Sequence, residues 1–362
     1  MKRTYLKLNK QRFHCKVCGQ TFVAKTSLVD EGCFISKDTK CQIAIKASEA
    51  MTLKAIAQDT AVSSASVQRV INKEAKAFNH HVDGLPKHLS FDEFKFAKGR
   101  MAFEYINVET GEILDIIASR FNVTIKDHFI THYSWQERKQ VETVTIDMNA
   151  GYVSVINELF PNAKIIIDRF HLTQLVNRSM NKTRIQIMNQ FHTSKNEDQK
   201  KYRRLKRYWR LLLKRETDLS STTYRYYKMF GQRLESSVVQ ECLSYSETLR
   251  INHALYQQIL RAFGDRDFNT LEQLVTARSA VGISSTLRTS LKTLRKHLPY
   301  IANSFIYSYN NGRIEGINNK IKVLNRVAYG YRNFNNYRSR IMIHFKFKAV
   351  EPSQQKTNIQ AA

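Results

Sequence analysis

The chain of 362 residues is short of proline, glycine, cysteine and acid. Its 4 prolines and 12 glycines leave little material for long flexible linkers. Its 5 cysteines, two of them close-spaced, suit a reducing compartment and a metal knuckle better than a disulfide scaffold. No apolar run approaches the roughly 18 residues of a spanning helix, and no secretory signal opens the chain. A soluble, cytoplasmic protein with no membrane partner is the expectation. Acid is the largest deficit: 31 Asp+Glu stand against 58 Lys+Arg, a net charge of +27. That excess goes beyond what solubility needs and calls for a polyanion, most simply nucleic acid. Hydrophobic content of 42% and aromatic content of 11% are ample for a folded core, shared among two or three domains.

The informative centre is residues 141–171. Two β-branched apolar runs there each end in aspartate, Val144-Thr145-Ile146-Asp147 and Ile165-Ile166-Ile167-Asp168. Between them the apolar spacing of residues 152–160 suits one helical face, closed by Pro161-Asn162. Strand, helix, strand implies parallel pairing of buried strands. Ligands in such sheets bind at the carboxyl ends of the strands, where Asp147 and Asp168 stand. A strand-end aspartate also caps the following helix, so either reading is open for each one. Arg169-Phe170-His171 after the second favours a site.

Residues 1–45 carry Cys15-Lys16-Val17-Cys18-Gly19 after a strand expected at Tyr5-Leu6-Lys7-Leu8. This is half of a zinc ribbon, and Cys15 and Cys18 are the candidate Zn²⁺ ligands. Cys33 and Cys41 do not have the spacing of a second knuckle. Residues 46–78 read as a helix-turn-helix. Thr52 caps one helix, Ser63 or Ser64 caps the next, and Val67, Val70 and Ile71 face inward. Ser64, Ser66, Gln68 and Arg69 are the candidate DNA contacts on the outer face.

Residues 79–87 read as a linker. Three strands follow, at 88–96 with Asp92-Glu93, at 101–108 and at 113–118, the last two joined by the turn Glu109-Thr110-Gly111-Glu112. Residues 124–133 are amphipathic and helical. Three antiparallel strands, a helix, and then two parallel strands form the ribonuclease-H-like order. From His171 to about Pro299 the pattern turns to long helices without strand signal. Residues 200–215 read as one cationic helix, with Arg203, Arg204, Lys206 and Arg207 as candidate backbone contacts and Tyr202, Tyr208 and Trp209 interleaved. The interleaving recurs in Thr222-Thr223-Tyr224-Arg225-Tyr226-Tyr227-Lys228. Near the end, Asn310-Asn311-Gly312 turns into a helix with Ile314, Ile317, Ile321 and Leu324 inward. Glu315 leaves that stripe, with Asn318, Asn319 and Lys322 within two turns. An acid ringed by amides and lysine suits a metal–phosphate site.

Taken together, these residues resemble the ISL-three family of bacterial insertion-sequence transposases. The resemblance rests on Ser90-Phe91-Asp92-Glu93-Phe94 with Lys98-Gly99, on Asp147-Met148 with Tyr152, and on Phe160-Pro161-Asn162-Ala163-Lys164. It continues in Asp168-Arg169-Phe170-His171 and Met188-Asn189-Gln190-Phe191. It ends in Tyr309-Asn310-Asn311-Gly312-Arg313-Ile314-Glu315-Gly316, Asn318-Asn319-Lys320-Ile321-Lys322 and Tyr329-Gly330-Tyr331-Arg332-Asn333-Phe334. It implies an α/β ribonuclease-H-like catalytic core with a mixed sheet, in two parts (88–171 and 301–350), split by an all-helical insertion (172–300). A partial zinc ribbon and a helix-turn-helix precede the core, and a polar tail (351–362) follows it. It implies a catalytic triad of Asp92, Asp147 and Glu315, with Asp168 the alternative to Asp147. Asp168, His171, Asn318 and Asn319 would support the site, and Lys322 and Arg332 would add DNA contacts. Two Mg²⁺ or Mn²⁺ ions would bind the triad. The partners implied are double-stranded DNA, as terminal inverted repeats and target, and further copies of the chain at synapsis. The family carries a further cysteine pair upstream, so a truncated or non-catalytic DNA-binding copy is the alternative, and a nuclease without strand transfer a third reading.

Overall fold

The computed structural model describes residues 5–78, 84–148, 150–277 and 281–347. The first part of the expected linker (79–83) and the polar tail (351–362) lie outside the described residues. The chain divides into two compact units, Met1–Gln140 with Gly312–Ala362, and Val141–Asn311.

The first unit opens with a small antiparallel ribbon, β1 (Arg12–His14) and β2 (Thr21–Val23), in which Phe13 and Phe22 stack at 5.3 Å. The strand expected at Tyr5–Leu8 is absent, because the knuckle turns the chain later. Gly19, at φ +69°, lets residues 12–14 fold back on 21–23. Three helices follow: α1 (Lys37–Ser48), α2 (Leu53–Asp59) and α3 (Ser64–Lys76). Ser36, Thr52 and Ser63 each accept a backbone N–H at the helix start. Sequence patterning misses α1, whose buried side chains (Ile43, Ala44 and Ala47) are confined to its second half.

A three-stranded antiparallel sheet comes next: β3 (His88–Ala97), β4 (Arg100–Asn107) and β5 (Ile113–Ile117), with β4 in the middle. Its two faces differ in chemistry. Phe91, Phe103 and Tyr105 project to one side, where Phe129 of α4 (Asn122–His132) stacks 5.7 Å from Phe91. The short α5 (Trp135–Lys139), closed by a capping box of Ser134 and Glu137, ends this segment. Phe94, Ala102 and Ile106 project to the other side and share one core with Ile314, Ile317 and Ile321, and with Tyr337 and Ile341. Each buried Ile or Leu of this kind contributes roughly 1.5–3 kcal/mol. Val67, Val70 and Ile71 of α3 belong to the same core.

One residue of this face breaks the apolar pattern. Glu104 is 0% exposed, lies across the ladder from Asp92 on one side and Ile116 on the other, and neither carboxyl oxygen has a hydrogen-bond partner. Burial pushes its carboxyl well above the ordinary 4.5, with the charge of Asp92 adding to the shift. Above that ordinary value the unfolded chain releases a proton that the folded chain keeps, so stability falls as pH rises through the window. Glu104→Gln removes the proton and the slope. In denaturant melts from about pH 4 to about pH 8, the variant should gain on the parent by more than about 1 kcal/mol. Parallel curves would refute the assignment.

The second unit holds the paired strands of the informative centre. β6 (Thr143–Ile146) and β7 (Lys164–Ile167) run parallel in the register Ile146↔Ile167, joined through α6 (Ala150–Leu159). Helix α7 (Arg169–Gln190) starts directly after β7, and three later helices of this unit, at residues 196–207, 247–265 and 285–296, pack against it. The expected continuous helix at 200–215 is broken. α8 (Asn196–Arg207) ends at Tyr208, and α9 (Trp209–Leu212) restarts the turn. At the break, Tyr208 leaves helical geometry (φ −100°, ψ 23°), while Leu205, Tyr208 and Leu212 all go inward and Tyr208 meets Tyr227 and Phe230 at ring distances of 5.6 and 5.3 Å.

Those rings belong to a hairpin that the all-helical expectation omitted, β8 (Arg225–Tyr227) paired with β9 (Gly231–Arg233). Three-residue strands are too short to show a period, and Gly231, at φ +71°, supplies the turn. Five helices complete the unit: α10 (Glu235–Ser244), α11 (Glu247–Asp265), α12 (Phe268–Thr276), α13 (Ser285–Lys296) and α14 (Leu298–Ile306). α14 packs on β7, where Asn303 Nδ2 donates to the Ile165 carbonyl at 2.7 Å. Back in the first unit, α15 (Gly312–Val327) and α16 (Phe334–Lys346) end the described chain. Among the described residues, no helix is long and apolar enough to cross a membrane.

Candidate active site

In the first unit, two acids far apart in sequence line one pocket. Asp92 comes from the middle of β3 and Glu315 from the first turn of α15. Glu93, Asn318, Asn319 and Lys322 complete the wall of a cavity of about 290 Å³. The helix owes its placement to its apolar stripe, since Ile314, Ile317, Ile321 and Leu324 are all buried and α15 packs on β3. Glu315 and Asn318, three residues apart, therefore share the helix face above Asp92. Asp92 is held by both oxygens: Oδ1 accepts the Glu93 backbone N–H at 2.8 Å, and Oδ2 accepts Asn318 Nδ2 at 2.8 Å. Asn318 is 5% exposed, and its own Oδ1 is buried without a partner. At the start of α15, an Arg313 guanidinium N–H donates to the Glu109 carbonyl in the β4–β5 turn.

In the second unit, Asp147 and Asp168 leave the carboxyl ends of neighbouring parallel strands. Their surroundings differ. Asp168 is 5% exposed and works as a cap: Oδ1 accepts the Phe170 N–H at 2.7 Å, and Oδ2 accepts the Asn311 N–H at 2.8 Å. Both oxygens are thereby engaged by backbone. Asp147 is half-buried at the end of β6, and His171 is half-buried in the first turn of α7.

The expected DNA contacts separate into exposed and engaged groups. Ser64 and Arg69 of α3 are exposed, and Arg69 Nη2 donates to Ser66 Oγ at 3.1 Å. Gln68 does not join them. It is half-buried, Nε2 donating to Asn72 Oδ1 at 2.9 Å, while Asn72 Nδ2 donates to Asn336 Oδ1 of α16 at 2.9 Å. Lys322 and Arg332 are exposed. On α8, Arg203, Lys206 and Arg207 are exposed, but Arg204 points inward. It pairs with Glu241 at 2.6 Å, donates to Tyr245 Oη at 2.9 Å and to the Met229 carbonyl at 3.1 Å, and lies 4.3 Å over the Phe230 ring. Arg204→Ala should cost roughly 2–4 kcal/mol in a thermal melt, and Arg203→Ala less than about 0.5 kcal/mol. Equal effects would remove the structural role given to Arg204.

Cys15 and Cys18 do form a knuckle, in which the Gly19 N–H donates to the Cys15 carbonyl at 2.9 Å. The Cys18 backbone N–H, chiefly, holds the Cys15 thiol below its ordinary value. Among the described residues, no third cysteine, histidine or carboxylate joins these two thiols, and Cys33 and Cys41 are exposed. Two thiols do not meet the four-ligand requirement of a structural zinc.

Comparison with known proteins defines the class first. Residues 89–341 match the model of a DDE-type family described as Transposase. The match covers well over half of the chain, and the protein belongs to this ISL3 family of insertion-sequence transposases. It is similar to the transposase for insertion sequence element IS1001 of Bordetella parapertussis, 26% identical over 256 residues, covering 68% of this chain and 58% of that protein. It is also similar to a Lactococcus lactis subsp. lactis protein named ATP-dependent protease, 40% identical over 116 residues, covering 32% of this chain and 37% of that protein. The chain thus spans 37% and 58% of the lengths of these two relatives. No glycine of the chain is followed by lysine, as an ATP-binding P-loop requires.

Proposed function

We propose that the protein cuts DNA at the terminal inverted repeats of an insertion sequence and joins the freed 3′ ends to target DNA. The observation that carries this reading is the pocket shared by Asp92 and Glu315, walled by two amides and a lysine. Asp92, Glu315 and, from the second unit, Asp147 are the proposed catalytic carboxylates. Asp147 is preferred to Asp168 because both oxygens of Asp168 are already engaged by backbone N–H groups.

The donor set fits a hard divalent cation: carboxylate oxygens predominate, and the buried Asn318 Oδ1 has no partner of its own. Mg²⁺ or Mn²⁺, bound as a pair, would supply Lewis acidity and an activated water or 3′-hydroxyl. The protein's own groups do the positioning. Asn318 fixes the Asp92 carboxylate by a hydrogen bond, and Lys322 offers a cation to a phosphate at the pocket rim. In this proposal α2 and α3 act as a helix-turn-helix that reads the terminal repeats through Ser64, Ser66 and Arg69. Arg203, Lys206, Arg207 and Arg332 hold phosphates without reading sequence. Two copies at least would act together, since two ends must be joined.

The test is cleavage of a labelled terminal repeat with Mg²⁺ or Mn²⁺, beside a supercoiled target plasmid. Metal-dependent 3′-hydroxyl ends that become joined to the plasmid are expected. Nicking without joining would reduce the proposal to a nuclease, and binding without cleavage to a DNA-binding remnant.

A further inference from the structure

The hairpin of the second unit presents two aromatic rings to solvent within a basic surround. Tyr224 is 66% and Tyr226 74% exposed, two residues apart. The ribbon beneath them is anchored. Tyr227, on the opposite face from Tyr226, meets Tyr208 edge-on at 5.6 Å, and Phe230 lies between Tyr208 and the Arg204 guanidinium. Tyr208 Oη accepts the Met229 N–H at 3.3 Å, and Arg204 holds the Met229 carbonyl. The rings therefore stand on a fixed base rather than a loose loop.

The charge pattern asks for an anion. Arg225 and Arg233 are directly opposite each other across the two strands, on the face of Tyr227 rather than of Tyr226, and Lys228 is exposed in the turn. Like charges facing across a ribbon repel, and the Glu235 carboxylate offsets Arg225 from below, so Arg233 and Lys228 are the exposed cations turned to a polyanion. The nearby acid is Glu235, buried below and already shared by Lys214 at 2.7 Å and Arg225 at 3.4 Å. Exposed rings among cations match a polyanion that also has flat apolar faces. Duplex DNA hides those faces in its stack, whereas unpaired bases offer them.

We propose that the β8–β9 hairpin, with the residue that leads into it, is a stacking platform for unpaired bases, with Tyr224 and Tyr226 as the rings and Lys228 and Arg233 as the phosphate contacts. The proposal deepens the transposase reading by giving opened strand ends a place to be held, but it is read by binding alone. The test uses the full chain, a fluorescent single-stranded oligonucleotide and a matched duplex. Tyr224→Ala/Tyr226→Ala should weaken single-strand binding about 10- to 100-fold and duplex binding less than about twofold. Tyr224→Phe/Tyr226→Phe keeps the rings and should bind as the parent does. Fluorescence of 2-aminopurine in the single strand should be quenched by the parent and not by the alanine variant. Unchanged single-strand affinity in the alanine variant, or equal loss on both DNAs, would overturn the platform. Loss of cleavage in the parent would overturn only the transposase reading, leaving these binding results to stand or fall separately.

Discussion

Under the proposed function, Glu315→Gln should abolish metal-dependent cleavage of a terminal repeat, by at least about 10³-fold, while the DNA is still bound. The reason is chemical rather than structural. Glu315 lies outside the buried stripe of α15, so the helix keeps its packing when one oxygen becomes an amide. What the substitution removes is negative charge in a pocket that also receives Asp92. A divalent ion held there would lose a charged oxygen ligand, and a factor of about 10³ corresponds to about 4 kcal/mol of transition-state stabilisation. Asp92→Asn should behave alike, with a second effect: the Asn318 amide then meets another amide in place of a carboxylate. Single-turnover cleavage beside a gel-shift titration separates the two outcomes. Cleavage at the parental rate by Glu315→Gln takes Glu315 out of the triad, and joint loss of binding and cleavage points to a folding defect instead.

Much of this site was legible because its signals are local. The runs before Asp147 and Asp168 carry their own strand signature, and the stripe at Ile314, Ile317, Ile321 and Leu324 fixes which face of α15 bears Glu315. What stayed hidden depends on partners remote in the chain. Gln68 looked solvent-facing by helical spacing, but Asn72 and Asn336 draw it toward α16. Arg204 looked like one more cation on a basic face until Glu241, Tyr245 and the hairpin surrounded it. Glu104 gave no signal at all. A glutamate in a strand reads as the solvated side of the ladder, and only the cover provided by α15 and α16 makes it a buried acid whose carboxyl is pushed above its ordinary range. The proposed preference for Asp147 over Asp168 likewise rests on Asn311, whose N–H reaches Asp168 from far along the chain.

The second large effect concerns the helix that closes the first unit. Arg338 of α16 donates through Nε to Asp115 Oδ1 at 2.8 Å, and its Nη2 is in close contact with the same oxygen. Nε also reaches the Ile116 carbonyl at 3.2 Å, so α16 is tied to β5 by charge and by backbone. Asp115 is 4% exposed, with His128 Nε2 at 3.7 Å from its other oxygen. Tyr105 extends the network, its hydroxyl 2.9 Å from both His128 Nε2 and Tyr133 Oη. Burial holds the Tyr105 phenol well above its ordinary value and Tyr133 at about 12, so neither adds charge at neutral pH. Arg338→Met keeps the apolar stem and removes the guanidinium from beside the buried Asp115 carboxylate. Breaking a buried pair in this way costs roughly 3–5 kcal/mol. The loss spreads, because α16 also holds the α1–α2 link: Arg340 Nη2 donates to the carbonyls of Glu49 and Met51 at 2.8 Å each. Chemical denaturation of Arg338→Met should therefore show a large drop in stability, with faster proteolysis at residues 49–52. Arg338→Met/Asp115→Leu should recover most of the loss, since replacing both members removes the buried charge altogether. A double variant no better than the single one would mean that the cost lies in the packing of α16 and not in the charge left behind.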